Sequence, residues 1–137
     1  MAVVTRDPNG VYIDTSTAMF AAQISGLLLG ANVNSGAPCY VKAADGNVYP
    51  SDGVAANEAA KFDGFTPRAG VAGQAITLFG IGARFHYAAS AGLTPGQDLF
   101  IASGGGLDTA ATTGGVRAIA RAIDDTDIRV TKNSDQA

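Results

Sequence analysis

Between Thr15 and Val41 the chain runs for 27 residues without a charge, longer than the ~20 residues a bilayer span requires. Its content argues against a span. Gln23, Ser25, Asn32, Asn34, Ser35 and Pro38, together with Gly26, Gly30 and Gly36, interrupt every apolar run and leave only the stretch around Leu27, Leu28 and Leu29. The segment therefore reads as soluble and β-rich, cut into short pieces by residues that favour turns. The rest of the 137 residues follow the same pattern, with 18 glycines and no tryptophan. Of the residues behind the 47% hydrophobic fraction, 26 are Ala, while Leu, Ile, Val and Phe together number 31. A chain of this length holds one domain or two tiny ones, with room for one modest core. With only 15% charged residues, its surface must be unusually neutral, which suits contact with other protein.

Charge and residue counts remove several function classes. The formal net charge of -3, with Arg and Lys scattered singly, is the wrong pattern for gripping phosphates, so no nucleic-acid partner is expected. One Cys and one His cannot form an internal disulfide, a four-ligand zinc site or a redox pair. The start, Met1 to Gly10, has no apolar stretch and does not read as a secretory signal, so the protein is expected to stay where it is made.

Along the chain, Val3 and Val4 begin an extended arm that turns at Asp7-Pro8-Asn9-Gly10, and Val11 to Asp14 reads as a strand. Thr15 to Ala22 has weak helical spacing that Ile24 and Gly26 would end. Pro38 to Ala43 alternates Cys39, Val41 and Ala43 against Tyr40 and Lys42, turns at Asp45-Gly46, and returns through Val48 to Pro50 as a hairpin. Asp52 can cap a short helix over Val54 to Ala60. Lys61 to Thr66 resumes strand character. Ala75 to Phe79 and Ala83 to Ala88 read as a hairpin across Gly80 and Gly82, with Phe85 and Tyr87 opposing Arg84 and His86. Val116 to Ile123, which fits either strand or helix and is read as strand, and Asp127 to Thr131 complete the chain. Gly36-x-x-x-Tyr40-Val41 is answered by Gly96-x-x-x-Phe100-Ile101 at an offset of 60, and Gly46 and Gly106 keep that offset, a pattern that either a duplication or the chance recurrence of Gly-turn-strand spelling in a β protein produces. The prediction is an all-β fold, a small β-sandwich or barrel-like domain of about eight to ten short strands, with an N-terminal arm and first strand over 1–14 and a single β-rich domain over 15–137.

Motifs for chemistry are missing. Lys42, Lys61 and Lys132 follow Val, Ala and Thr, so none ends a phosphate-binding loop. Gly80-x-Gly82 and Gly104-Gly105-Gly106 lack the dinucleotide fingerprint and read as turns. No Gly-x-Ser-x-Gly elbow exists, and His86 reads as a solvated outer-face residue. Asp124-Asp125-x-Asp127 could hold a hard cation, but Asp in so short a connection commonly bonds its own backbone. Glu58 is the only glutamate and no carboxylate pair is visible. The reading is no enzyme, no cofactor, no metal and no small-molecule substrate.

Five phrases, at 36–49, 61–65, 72–79, 92–101 and 119–122, bear a resemblance that their order carries. They run Gly-Ala-Pro-Cys-Tyr-Val-Lys-Ala-Ala-Asp-Gly-Asn-Val-Tyr, Lys-Phe-Asp-Gly-Phe, Ala-Gly-Gln-Ala-Ile-Thr-Leu-Phe, Gly-Leu-Thr-Pro-Gly-Gln-Asp-Leu-Phe-Ile and Ile-Ala-Arg-Ala. Together they resemble the capsid decoration, or cement, proteins of tailed bacteriophages. The likeness implies a virion protein on the outer surface of the capsid, with the major capsid protein as partner and no nucleic acid or membrane. It also implies a homo-oligomer, a trimer first and a dimer second. Ala2, Val3, Val4 and Thr5, with Val11, Tyr12 and Ile13, are the expected interface, docking onto a shell subunit or a neighbouring copy by strand addition. Removal of residues 1–10 is then expected to abolish capsid binding while leaving the domain folded. The alternative is a β module at a fibre base that recognises host glycans, for which Tyr12, Tyr40, Tyr49 and Tyr87 are spread too widely to form a platform.

Overall fold

A computed structural model describes residues 3–8, 23–54, 58–89, 92–103, 105–112 and 118–131. The strand and helix expected over 11–22 lie outside them. The described chain is all-β, with eleven strands and one short 3-10 turn at Glu58–Ala60. The strands are β1 (Val3–Val4), β2 (Gln23–Leu28), β3 (Pro38–Val41), β4 (Val48–Pro50), β5 (Gly64–Phe65) and β6 (Ala75–Phe79). They continue as β7 (Arg84–His86), β8 (Asp98–Ile101), β9 (Leu107–Asp108), β10 (Ala120–Ala122) and β11 (Asp127–Val130). Among these residues no helix is long and apolar enough to cross a membrane.

The strands form two antiparallel sheets that pack as a sandwich. One runs β2-β6-β5-β3-β4, the other β1-β9-β8-β10-β11-β7. Apart from β1, the second order repeats the first: β7, β11, β10, β8 and β9 take the places of β2, β6, β5, β3 and β4. The offset of 60 noticed in the sequence is the offset between β3 and β8. Each is introduced by a glycine in the left-handed region, Gly36 at φ 66° and Gly96 at φ 83°, a conformation that costs other residues steric strain. In the first half the Asp45-Gly46 hairpin forms as expected, with Cys39 opposite Pro50 and Val41 opposite Val48. In the second half the left-handed glycine is Gly105 rather than Gly106.

Both sheets curl until their outer strands meet. Leu29, just beyond β2, bridges Val48 of β4, and Gly30 donates to the Val48 carbonyl at 2.9 Å. In the second half the equivalent closure passes through the N-terminal segment. β1 pairs with β9 (Val3 with Asp108, Val4 with Leu107), and Arg6 bridges Ala88 just beyond β7. Closure of this kind limits the unpaired edges that otherwise invite aggregation.

Two apolar clusters follow from this geometry. Leu29, Val33, Ala37, Cys39, Val48, Ile76 and Leu78 fill the curled five-stranded sheet. The larger cluster unites the halves: Phe65 and Phe79 from the first meet Phe85, Tyr87, Leu99, Ile119 and Ile128 from the second. An aromatic chain crosses it, with ring centroids 5.1 Å apart for Phe62–Phe65, 5.2 Å for Phe65–Phe85 and 6.4 Å for Phe85–Tyr87, all edge-to-face. Such pairs add roughly 0.5–1.5 kcal/mol each beyond area burial.

Three expectations are corrected. Ala75–Phe79 and the strand at Arg84–His86 are not a hairpin, because β6 and β7 belong to different sheets. The turn at Gly80–Gly82 carries the chain between them, with Gly82 donating to the Val130 carbonyl at 2.9 Å, so that Phe79 and Phe85 enter the shared core from opposite sides. Tyr40 does not face solvent opposite Cys39, since both are buried and Tyr40 lies against Tyr49 with centroids 6.1 Å apart. The helix expected over Val54 to Ala60 is, in its described part, only the turn at Glu58–Ala60, and the Asp52 carboxylate accepts from Val54 N at 3.0 Å within its own turn.

Candidate docking surface

Of the residues expected at an interface, Ala2, Val11, Tyr12 and Ile13 lie outside the described residues. Val3 and Val4 are extended, as expected, but the extension is used within the domain. Val4 is only 6% exposed and belongs to the shared core, while Val3 is 62% exposed and Thr5 is open to solvent. The segment is therefore not a detachable arm over Val3 to Asp7. Alternation along a strand explains the split, since neighbouring side chains must point to opposite faces.

Side chains fasten this segment further. Arg6 donates from Nη2 to the Gly105 carbonyl at 2.7 Å and places its guanidinium 5.6 Å from the centroid of the Tyr87 ring. Asp7 donates its backbone N–H to the Tyr87 carbonyl at 2.8 Å, and its carboxylate meets Nε2 of His86. Nδ1 of His86 lies 3.6 Å from Asp127, and Arg84 reaches Asp127 at 3.4 Å and Asp124 at 3.5 Å. His86 does sit on the outer face, as expected, but it is a linker between the N-terminal segment and β11. Sequence reasoning missed this because Asp7 and His86 are far apart along the chain, and only closure of the six-stranded sheet brings them together.

Asp124 behaves as its short connection suggested. Its Oδ1 accepts from Thr126 N at 2.9 Å and Asp127 N at 2.8 Å, and no cluster suited to a metal occurs among the described residues. Those two backbone donors hold the Asp124 carboxyl below its ordinary value, with Arg84 a smaller contributor. A depressed folded value stabilises the fold above the unfolded value of about 3.9 and ceases to do so as pH falls through the folded one. Thermal stability is therefore expected to drop on acidification below about pH 4, and Asp124→Asn, which keeps the acceptor but cannot titrate, should flatten that acid limb in a melting series.

Cys39 is fully buried, and desolvation pushes its thiol up to about 12. Only the thiolate reacts readily, so the native protein at neutral pH should show no reaction with a thiol-specific chromogenic disulfide, and one equivalent should appear after denaturation. Reaction at the rate of a free thiol in the native state would contradict this packing.

The surface most open to a partner lies on β2. At six residues it is the longest described strand, among the described strands it pairs laterally with β6 alone, and its sequence Gln-Ile-Ser-Gly-Leu-Leu is uncharged. A bulge opposite Thr77 breaks its register between Ile24 and Leu27. Ile24 is 39% and Leu28 49% exposed, so the strand presents apolar side chains to solvent at the end of the five-stranded order. No protein-family model matches the chain, and no curated protein is significantly similar to it in sequence.

Proposed function

We propose that this protein is a bacteriophage capsid decoration protein that adheres to the outside of the head and bridges neighbouring major capsid protein subunits. The observation that carries the reading is β2, an uncharged strand exposed on both faces that stands at the end of its sheet's order among the described residues. Natural proteins blunt exposed edges with charge, proline, bulges or a covering segment; β2 has a bulge but no charge. The order of the Gly-turn-strand phrases, with its resemblance to cement proteins, supplies the partner's class. A stable contact needs only about 1,200–2,000 Å² of buried surface, and bridging two shell subunits multiplies modest affinities. Self-association, as a trimer first or a dimer second, belongs to the same reading.

Co-sedimentation with purified capsids lacking the protein tests it. Saturable binding, with density on the outer shell at fixed symmetry positions in an image reconstruction, is the expected result. Absence of binding at micromolar protein, or particles that never contain the protein, would overturn it.

A further inference from the structure

The two halves also differ in how far two corresponding strand pairs run together. In the second half β10 and β11 pair at three positions, Ala120 with Val130, Arg121 with Arg129 and Ala122 with Ile128, and a short connection over 123–126 joins them. In the first half the corresponding strands β5 and β6 pair once, Phe65 with Phe79, and the chain over 66–74 swings away. Pro67 stands where the register would place a partner for Thr77, and it has no N–H to donate. The diverging chain is held elsewhere: Thr66 N donates to the Ala37 carbonyl at 3.0 Å and Gly70 N to the Val33 carbonyl at 3.1 Å.

A groove opens beside β6 as a result. It measures about 310 Å³ where Arg68, Ala69, Gly70, Gln74, Ala75 and Ile76 line it, and a second cavity of about 130 Å³ adjoins it, lined by Arg68, Ala75 and Ile76 with Gly26, Leu27 and Thr77. Leu29 N donates to the Gln74 carbonyl, which fixes even-numbered backbone groups of β6 toward β2. By ladder alternation the N–H and C=O of Ala75 and Thr77 point the other way, into the groove. None of the backbone bonds from the 66–70 segment reaches them. Arg68 is the sole charged residue between Asp63 and Arg84. It is exposed, and among the described residues no carboxylate pairs with it.

We infer that this groove is a strand-addition site, in which an extended segment of a partner protein pairs with β6 at Ala75 and Thr77 and presents a carboxylate to Arg68. The ladder supplies sequence-independent affinity, and the single cation in otherwise uncharged walls supplies selectivity for an acidic side chain. Two open positions at ~3.3 Å per residue accommodate a segment of roughly three to five residues. That the partner is a shell subunit rests on the proposed function; the chemistry of the groove does not.

The test is an amide-resolved NMR titration of the full chain with two capped synthetic peptides, Thr-Val-Glu-Val-Thr and Thr-Val-Gln-Val-Thr. The Glu peptide is expected to shift the Ala75 and Thr77 amides and to bind about tenfold more tightly than the Gln peptide, a difference that Arg68→Gln abolishes. Arg68→Glu, a surface change that leaves the fold intact, should weaken capsid retention by about the same factor. No shift at Ala75 and Thr77 at millimolar peptide, or equal binding of the two peptides, overturns the groove whatever the capsids do. Peptide binding as expected, with no co-sedimentation of the wild type, overturns the capsid reading alone.

Discussion

Replacing Phe65 by alanine is expected to remove about 3–5 kcal/mol of stability, which for a chain of this size corresponds to a fall in melting temperature of roughly 10–15 °C. Phe65 is fully buried and stands at the centre of the aromatic chain, touching Phe62 on one side and Phe85 on the other. Its backbone belongs to the five-stranded sheet while its ring packs into the cluster dominated by the six-stranded sheet, so truncation loosens the joint between the halves as well as leaving a cavity. Phe100→Ala is the control, because Phe100 is only partly buried and its loss should cost less than half as much. Denaturant unfolding of the two variants measures the difference, and equal losses would show that the halves do not depend on this ring.

Deleting residues 1–8 is expected to destabilise the domain by about 4 kcal/mol, from the lost burial of Val4 and the charge-assisted bonds of Arg6 and Asp7. This reverses the expectation drawn from the sequence that the amino terminus could be removed without harm to the fold. The six-stranded sheet needs β1 and Arg6 to close between β9 and Ala88, so the deletion should also expose hydrophobic surface, measurable as dye binding. Val3→Asp separates docking from folding: at 62% exposure it should leave the melting temperature unchanged while weakening any partner contact that uses this strand. A truncated protein that melts with the wild type would sink the assignment of β1 as an integral strand.

The all-β class, the Asp45-Gly46 hairpin and the repeat at an offset of 60 were legible along the chain because each depends on neighbouring residues: glycines that tolerate positive φ, and alternation that recurs at fixed spacing. The strand at Ala120–Ala122 was legible for the same reason. The backbone bonding of Asp124 in Asp124-Asp125-x-Asp127 was also local, since it reaches residues two and three further on. The supposed hairpin between β6 and β7 failed because local spelling at Gly80 and Gly82 specifies a turn but not whether the next strand returns to the same sheet. That choice is made by the Phe79 and Phe85 side chains burying against a common core.

Sequence alone thus determined several of the turns and extended segments, though not β2, and that the surface carries little charge, all consequences of backbone stereochemistry and composition acting within a few residues. Tertiary structure alone decided that the amino terminus completes a sheet, that Asp7 joins His86, and that a groove opens where Pro67 ends the ladder. These depend on contacts between residues far apart in the chain, whose free energy is gained only when both sheets have closed and the shared aromatic core has excluded water.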